Sequence, residues 1–261
     1  MSRSGYYKHK KAAETEKSNR EIAVIKCFKK HNANYGRVRI KRALKKEGII
    51  ISENAISKLM KKNGLVAKSG RTGRKKPERP TEQQYIEQNL LTDKFAVTAA
   101  NELWCSDITV LKCRNYKVYL CGVIDVATRR IVGWAIDKTQ TQVLVQDAFK
   151  MALGRNPSIP YGAVYHSDRG CQYTAKKTKE LVESSGFRKS MSRPGTPSDN
   201  QPIESFWRTL ECEMEDISTM KFNDAKRTIV SFIEMYYNSE RIHSGIDYIT
   251  PNEKFILLSV H

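Results

Sequence analysis

Three extended apolar segments, separated by two short turns, constrain the fold of this chain more than any other feature. Residues 108–113, 116–126 and 130–136 are rich in the β-branched and aromatic side chains that favour strands. Arg114-Asn115 has the length of a tight hairpin connection, and Ala127-Thr128-Arg129 suits a second turn. The pattern predicts an antiparallel three-stranded meander.

The chain that follows alternates helix and strand. Apolar spacing predicts helices over 139–153 and 174–185, strands over 163–166 and 188–191, and two long helices over 202–216 and 223–238. Gly154 and Gly186 stand where glycine commonly ends a helix. Together with the meander, this order indicates an α/β fold in which helices pack on a mixed sheet.

Positive charge is concentrated in the first third of the sequence. The formal net charge is +18, yet residues 1–80 carry 24 Lys and Arg against 6 Asp and Glu, while the remaining residues carry 22 of each. So basic a block is typical of a protein that binds a polyanion such as DNA. A membrane-surface helix is the competing interpretation, but the block lacks the apolar face that such a helix needs.

The basic block divides into a helical part and a linker. Helical spacing predicts helices over 14–31, 36–47 and 52–64, with Ser52 as an N-cap. The last two have the outline of a helix-turn-helix, and a plain helical bundle with a solvated basic face fits equally well. Residues 68–80 have the charged, Gly- and Pro-containing composition of a flexible linker. We therefore predict a DNA-binding domain at 1–67, a linker at 68–100 and an α/β domain at 101–261.

Cysteine usage and hydropathy indicate a cytoplasmic protein. The six cysteines form no C-x-x-C pair, so neither a zinc site nor a redox motif is predicted, and we expect reduced thiols. No apolar run of about 18 residues is present, and the N-terminus has no apolar signal region. We expect no membrane partner.

Three carboxylates fall on separate predicted elements. Asp107 lies in residues 104–109, a run with strand character that leads into the first strand. Asp168 directly follows the fourth strand, and Glu204 lies in the first turns of a helix. If strands one and four are neighbours, the acids can meet, and their mutual repulsion would require a cation. Oxygen-only ligands select Mg²⁺ or Mn²⁺, and two such ions support phosphoryl transfer of the nuclease type. Solvated surface acids remain the alternative.

A resemblance to a known family rests on motifs spread along nearly the whole chain. They include Asp107-Ile108-Thr109, His166-Ser167-Asp168-Arg169-Gly170, Asp199-Asn200 and Glu204-Ser205-Phe206, with 35 residues between Asp168 and Glu204. The chain resembles the catalytic, OrfB-type transposases of bacterial insertion sequences of family three, whose core is similar to that of retroviral integrases. Tyr35-Gly36-Arg37 resembles the basic helical domain of the same family.

The resemblance implies a ribonuclease-H-like integrase core, with a mixed five-stranded sheet flanked by helices, behind an N-terminal all-α helix-turn-helix-like domain. Asp107, Asp168 and Glu204 would be the catalytic and metal-binding triad, holding two Mg²⁺ or Mn²⁺ ions. In such enzymes water first cuts at the element ends, and the freed 3′-hydroxyl then attacks a new phosphodiester. No covalent protein intermediate is implied.

Several residues are predicted to contact DNA. Asn200 and Arg208 lie four residues on either side of Glu204, on one helix face, and an ordinary exposed cation is the alternative interpretation of Arg208. Arg37 and Arg39 in the basic domain, with Lys75 and Lys76 in the linker, complete the predicted set. The sequence departs from the family pattern at Glu211, where Lys is usual. An acid there, on the helix face of Glu204, would repel phosphates.

Other polar residues have two interpretations. Asp125 either caps a turn or supports the triad from behind, and His166 either contacts water or DNA at the site or is a satisfied structural histidine. Tyr237, Asn238, Arg241 and His243 are either structural or DNA-backbone contacts.

The expected partners are DNA, at both element ends and target, an upstream reading-frame product present as a fusion or partner, and further copies of the chain in a homo-oligomer on DNA. We expect a nucleoid-associated location. The upstream product of the family carries a further helix-turn-helix and a leucine zipper, so recognition of the terminal repeats is expected to lie partly outside this sequence. A catalytically silent DNA-binding regulator, or decayed transposase copy, and a metal nuclease that cuts without joining are the competing functions.

Overall fold

The computed structural model describes residues 18–68, 97–193 and 197–259 of the chain. The chain divides into two compact units, residues 1–71 and 72–261. Residues 69–96, where the linker was placed, lie outside the described part, so the predicted domain limits stay predictions. None of the helices in the described segments has the length and apolar character needed to cross a bilayer.

The N-terminal unit is helical, as predicted. Helix α1 occupies described residues 18–30, α2 spans Arg37–Lys46 and α3 spans Glu53–Lys62. The Ser52 hydroxyl accepts a hydrogen bond from the Ala55 backbone N–H (3.2 Å), which confirms the predicted N-cap of α3. The three helices share a small apolar core of Val24, Cys27, Phe28, Ile40, Leu44, Ile56 and Met60.

The C-terminal unit is built on one five-stranded sheet. Its strands are β1 (Leu103–Cys113), β2 (Tyr116–Asp125), β3 (Ile131–Asp137), β4 (Val164–Ser167) and β5 (Arg188–Met191). Their order across the sheet is β3-β2-β1-β4-β5; the first three are antiparallel, and β4 and β5 run parallel to β1. The predicted meander and the predicted mixed sheet are both confirmed, and strands one and four are neighbours.

Helices cover both faces of this sheet. One face packs against α4 (Gln142–Arg155), α5 (Cys171–Thr174) and α6 (Lys176–Ser184). The other packs against α7 (Gln201–Glu213), which follows a 3₁₀ turn at Pro197–Asn200, and α8 (Phe222–Ser231). A π-helical segment, Phe232–Tyr237, continues α8, a 3₁₀ turn follows at Ser244–Ile246, and α9 (Pro251–Ser259) ends the described chain.

Alternation along β1 decides which helix each side chain meets. Leu103 and Cys105 belong to the apolar cluster on the α7 face, whereas Trp104 belongs to the cluster on the α4 face. Asp107, two residues after Cys105, therefore faces α7. On the opposite face α4 crosses close to Gly133, where a Cβ atom would lie 2.2 Å from the Ala148 carbonyl oxygen, so the strand needs glycine there.

Two predicted helices are divided in the structure. The predicted helix at 174–185 is interrupted at Ala175, whose ψ of 134° is extended, and α6 begins after it. The predicted helix at 223–238 is α-helical only to Ser231 and then widens into the π-helical segment. In that segment the wider turn lets Phe232, Ile233 and Tyr237 all reach the core.

Asn238 and Arg241, two members of the polar cluster predicted near the C-terminus, make structural contacts. The Asn238 side chain pairs with edge strand β3: its Oδ1 accepts from the Ile131 N–H (2.9 Å) and its Nδ2 donates to the Ile131 carbonyl (3.0 Å). Arg241 forms a buried, two-pronged ion pair with Glu213 at the end of α7 (2.8 Å for each hydrogen bond). These contacts fix the C-terminal segment to the sheet and to α7.

Candidate active site

The first two carboxylates are brought together by the pairing of β1 with β4. In that parallel pair Ser106 stands opposite Ser167. Asp107 and Asp168 directly follow these two serines in the sequence. Both acids therefore lie at the same end of the β1–β4 pair. Asp168 is exposed and accepts a hydrogen bond from the Gly170 N–H (2.9 Å), in the turn that leads to α5.

Glu204 reaches this region from α7. Pro202 lies in the first helical turn, where a missing N–H costs nothing, and Glu204 in the same turn is only partly buried. The start of the helix is attached to β1 by Asn200, whose Nδ2 donates to the Ser106 carbonyl oxygen (3.0 Å). That bond lies one residue before Asp107, so it fixes the register of the helix against the strand that carries the first acid.

A tryptophan on α7 contacts the first acid directly. The Trp207 Nε1–H donates to Asp107 Oδ2 over 2.9 Å. Its indole lies against Gly122 of β2, where a Cβ atom would come within 2.8 Å of the ring carbon Cη2. The glycine thus makes room for the ring, and the ring orients the carboxylate. The sequence pattern alone does not single out Trp207, although its position three residues after Glu204 places both on one helix face.

The electrostatics show that the charges of the other two acids reach Asp107. The pKa of Asp107 is raised to about 6, mainly by burial and also by the charges of Asp168 and Glu204, although hydrogen bonds from the Ile108 backbone and from Trp207 oppose the rise. Burial also raises the pKa of Glu204, and the nearby Arg208 guanidinium lowers it. The ionised form of Asp107 is therefore costly unless a cation is nearby.

A complete metal cage is not assembled in the described segments of the chain, because no group of three or more His, Cys, Asp or Glu side chains there is arranged to hold an ion. The donor set nevertheless suits a hard cation, since it consists only of carboxylate oxygens. The charges of Asp168 and Glu204, which both raise the pKa of Asp107, indicate a place where positive charge would be stabilised.

Buried hydroxyl groups support β1 behind the acids. The Ser106 hydroxyl lies 3.0 Å from the Tyr173 hydroxyl of α5, and both side chains are fully buried. One hydroxyl can donate to the other, and Cys121 Sγ, 3.7 Å from each of them, can accept from the remaining O–H. This contact ties the turn after Asp168 to the strand that carries Asp107.

His166 is structural. Its Nδ1 lies 2.9 Å from the Ser190 hydroxyl and its Nε2 lies 3.0 Å from the Ser192 hydroxyl, so both ring nitrogens are engaged. Burial lowers the pKa of His166 to about 4, which makes the ring neutral at physiological pH. It joins β4 to β5 and to Ser192, which directly follows the end of β5.

Of the two interpretations of Asp125, the turn cap is the one that its contacts support. The buried carboxylate accepts hydrogen bonds from the Asn101 N–H (3.1 Å), the Thr128 N–H (3.2 Å) and the Thr128 hydroxyl. Burial raises the pKa of Asp125 to about 6, and these hydrogen bonds oppose the rise. It closes the turn between β2 and β3.

The residues predicted to bind DNA occupy different environments. Arg208 is exposed beside Glu204 and Arg37 is exposed on α2, whereas Arg39 is half-buried and donates to the Asn34 carbonyl (3.3 Å). Asn200 is buried and holds Ser106, so the structure gives it a positioning contact, and contact with DNA stays a prediction. Lys75 and Lys76 lie outside the described residues. Glu211 is exposed on α7.

Family models match both units. The description "Integrase core domain" applies to residues 97–197 and, in a second model, to residues 185–251, while "HTH-like domain" applies to residues 15–73. The second description confirms the helix-turn-helix interpretation over the plain bundle. The fold and site thus define a DNA-processing enzyme with an integrase core and a separate DNA-binding unit.

Curated relatives extend over almost the entire sequence. The chain is 36% identical to the transposase for insertion sequence element IS904 of Lactococcus lactis over 245 residues, covering 94% of this chain and 95% of the relative. It is 36% identical to the insertion element IS600 31 kDa protein of Shigella sonnei, covering 96% and 93%. It is 29% identical to the transposase InsF for IS3A of Escherichia coli, covering 89% and 81%.

This chain belongs to family three of the bacterial insertion-sequence transposases. It is accordingly a transposase of the integrase type, a polynucleotidyl transferase that acts on DNA, and cores of this kind use divalent metal ions. Among solved structures, the catalytic core domain of HTLV-2 integrase in complex with magnesium is 17% identical, with a TM-score of 0.42, and covers 60% of this chain and 97% of that one.

Proposed function

We propose that Asp107, Asp168 and Glu204 are the catalytic acids of this transposase and that together they bind two Mg²⁺ or Mn²⁺ ions. The observation that carries the proposal is the raised pKa of Asp107, to which Asp168 and Glu204 both contribute in addition to burial. Two acids, from the end of β4 and from α7, whose charges both reach a third acid on β1 would be stabilised by a cation bound among them.

Divalent ions held there would supply Lewis acidity for an in-line phosphoryl transfer. The protein's own contribution is to hold the ligands in place. Asn200 anchors α7 to β1 through the Ser106 carbonyl, and Trp207 orients Asp107 through its indole N–H. Arg208, exposed beside Glu204, is placed to bind a DNA phosphate.

The reaction we propose has two balanced steps. In strand cleavage a water oxygen attacks the phosphorus at the element end, and the bond to the 3′-oxygen breaks, leaving a 3′-hydroxyl and a 5′-phosphate. In strand transfer that 3′-hydroxyl attacks a target phosphodiester, and the target's own 3′-oxygen leaves. No side chain forms a covalent bond to DNA. The three acids would act only through the cations that they bind.

Partners beyond DNA follow from the family. We propose that an upstream reading-frame product acts with this chain, as a fusion or as a separate subunit, that the chain assembles as a homo-oligomer on DNA, and that it is associated with the nucleoid. Arg37 and Arg39 of the N-terminal unit, with Lys75 and Lys76, are proposed to contact the DNA backbone.

One assay tests the proposed function. The full chain, alone and co-expressed with the upstream product, is incubated with labelled element-end DNA and Mg²⁺ or Mn²⁺, and cut and joined products are separated on a denaturing gel. Both products are expected. Cutting without joining would identify a nuclease, and binding without either product a regulator.

Matched variants test the site. Asp168→Asn and Glu204→Gln are expected to abolish both products while DNA binding persists, because each removes a metal ligand and leaves the surface intact. Asp147→Asn on α4 and Glu215→Gln after α7, both exposed acids, serve as controls and should retain activity. Metal-dependent cleavage that survived Asp168→Asn would overturn the assignment.

A further inference from the structure

A basic cleft lies at the tip of the hairpin that joins β1 to β2. It has a volume of about 610 Å³ and combines side chains from three places: Arg114 in the hairpin, Lys138 directly after β3, and Lys221 and Arg227, which lie just before α8 and in its middle. All four cations are exposed to solvent. The basic cleft is open, so it suits part of a long ligand better than an enclosed small molecule.

Its positive charge is largely uncompensated. Arg227 is paired with Asp224, the one acid that lines the basic cleft. Among the residues that the structure describes, no acid forms an ion pair with Arg114, Lys138 or Lys221. Asp137, next to Lys138 in sequence, instead accepts a hydrogen bond from the backbone N–H of Thr139 (3.3 Å). Three cations thus converge without a counter-charge.

One of these cations is held in position. The Lys138 ammonium lies 4.6 Å from the centre of the Tyr116 ring and 5.0 Å from the centre of the Phe222 ring. Two aromatic faces restrict a side chain that is otherwise highly mobile, so less conformational entropy is lost when it binds an anion. Lys138 therefore has fewer conformations to lose on binding an anion than a freely solvated surface lysine has.

The basic cleft is separate from the three acids. Asp107 lies six residues before Cys113, where β1 ends at the hairpin, and a strand rises about 3.3 Å per residue, so the hairpin tip lies about 20 Å along β1 from Asp107. A DNA strand advances about 3.4 Å per base, so about six base pairs span that distance. One duplex can therefore reach both places.

We infer that the basic cleft binds the phosphate backbone of the DNA duplex whose reacting phosphate lies at the acids. This inference rests on the proposed function, since it assigns the acids as the place of reaction. It adds a second, sequence-independent contact in the catalytic unit, about six base pairs from the bond that is cut.

The test compares two variants that lose the same charge. The cleft variant carries Arg114→Ala, Lys138→Ala and Lys221→Ala. The control carries Lys150→Ala, Lys177→Ala and Arg188→Ala, which removes one arginine and two lysines that are exposed elsewhere in the same unit. Circular dichroism and thermal melting of both full-length proteins establish that they fold like the wild type.

Binding to duplex DNA is followed by fluorescence anisotropy over a series of salt concentrations. Each phosphate contact contributes about 0.9 to the slope of log K against log salt, so the cleft variant is expected to lose about 2 to 3 from that slope and to bind about tenfold more weakly. The control is expected to keep the wild-type slope within about 0.5. Equal slopes for the two variants would overturn the inference.

DNA length provides a second readout. Element-end duplexes are shortened separately from each side of the cleaved bond. On one side, the difference between wild type and cleft variant is expected to disappear when fewer than about six base pairs remain. A difference that persists on the shortest duplexes from both sides contradicts the inferred distance.

The two proposals fail in different ways. If the acids are assigned wrongly, Asp168→Asn still cleaves, whatever the basic cleft does. If the basic cleft is assigned wrongly, Asp168→Asn is inactive while the cleft variant and the control bind DNA alike. Tight binding of inorganic phosphate by the wild type, with no change in DNA slope for the cleft variant, would identify a small-anion site instead.

Discussion

Two aspartates, one partly buried in the middle of β1 and one fully buried at the end of β2, share one property and differ in another. Burial raises the pKa of both Asp107 and Asp125 to about 6. Asp125 is surrounded by donors from Asn101 and Thr128, whereas Asp107 receives one side-chain hydrogen bond, from Trp207, and faces two further acids. The carboxylate that supports the fold receives several hydrogen bonds from the protein. The carboxylate that we propose to serve the reaction receives fewer, which leaves its oxygens able to bind a cation.

The largest effect is expected from Asp107→Asn. The substitution removes a proposed metal ligand, so strand cleavage is expected to fall about a thousandfold or more, equivalent to about 4 kcal/mol of transition-state stabilisation. The free energy of unfolding without metal should stay the same or rise, since a costly buried charge is removed. Cleavage assays and urea unfolding measure the two. A loss of stability would mean that Asp107 is a structural acid like Asp125.

The opposite result is expected from Asp125→Ala. The buried N–H groups of Asn101 and Thr128 would lose their acceptor, so the free energy of unfolding is expected to fall by about 3 kcal/mol. The cleavage rate per folded molecule should not change. Urea unfolding, with activity normalised to the folded fraction, checks both, and selective loss of activity would contradict the structural assignment.

Trp207→Phe tests the single donor that Asp107 receives. The ring is retained but its N–H is lost, so Mg²⁺ affinity is expected to fall about tenfold, as when a supporting hydrogen bond to a metal ligand is removed. Trp134→Phe is the matched control, because it removes an indole N–H that donates to Glu234 (2.6 Å) away from the acids. Isothermal titration calorimetry measures both. Equal affinities would reduce Trp207 to a packing residue.

The smallest effect concerns pH. Both aspartates have raised pKa values, so each contributes most to stability when protonated, and that contribution is lost as pH rises through about 6. Metal needs the ionised form of Asp107, so stabilisation by Mg²⁺ should increase as pH rises through the same range. We expect a Tm increase of a few degrees at about pH 7.5 and little at about pH 5, measured by scanning fluorimetry with and without Mg²⁺.

Asp107→Asn should abolish this metal-linked increase. Asp125→Asn should retain it, because Asp125 is proposed to bind no metal. A Tm increase in Mg²⁺ that is the same at both pH values would show that the ion binds elsewhere.

Local patterns predicted most of the secondary structure. The β-branched segments gave all three meander strands, and the short strand at 188–191 has the predicted bounds. The order of elements was enough to indicate the mixed sheet, because short connections leave few topologies for a meander followed by alternating strands and helices. The family comparisons confirm the integrase core and the helix-turn-helix-like domain.

Departures from regular geometry were not predictable. Ala175 is a good helix former, yet it stands between two helices, because tertiary packing overrides its propensity. The π-helical segment has no signature in its composition either, since its apolar residues fit an α-helix almost as well. Only the packing of Phe232 and Tyr237 distinguishes the two.

At the site, the sequence predicted which strand or helix carries each of the three acids. It did not predict the contacts of Asn200 and Trp207 that hold those elements and side chains in position. The roles of Asp107, Asp168 and Glu204 came from the resemblance and stay predictions. The bond from Asn200 to Ser106 joins residues that are 94 positions apart, and the room for Trp207 depends on Gly122 in another strand. Such contacts depend on how a helix and a strand lie against each other, which no local pattern records.

The Asn238 side chain has a consequence for the solubility of the protein. β3 is an edge of the sheet, and an exposed strand edge offers unpaired N–H and C=O groups to any other extended chain. By pairing with both backbone groups of Ile131, the amide of Asn238 imitates one residue of a sixth strand. A single side chain thereby occupies the backbone groups through which that part of the edge could pair with a second copy of the protein.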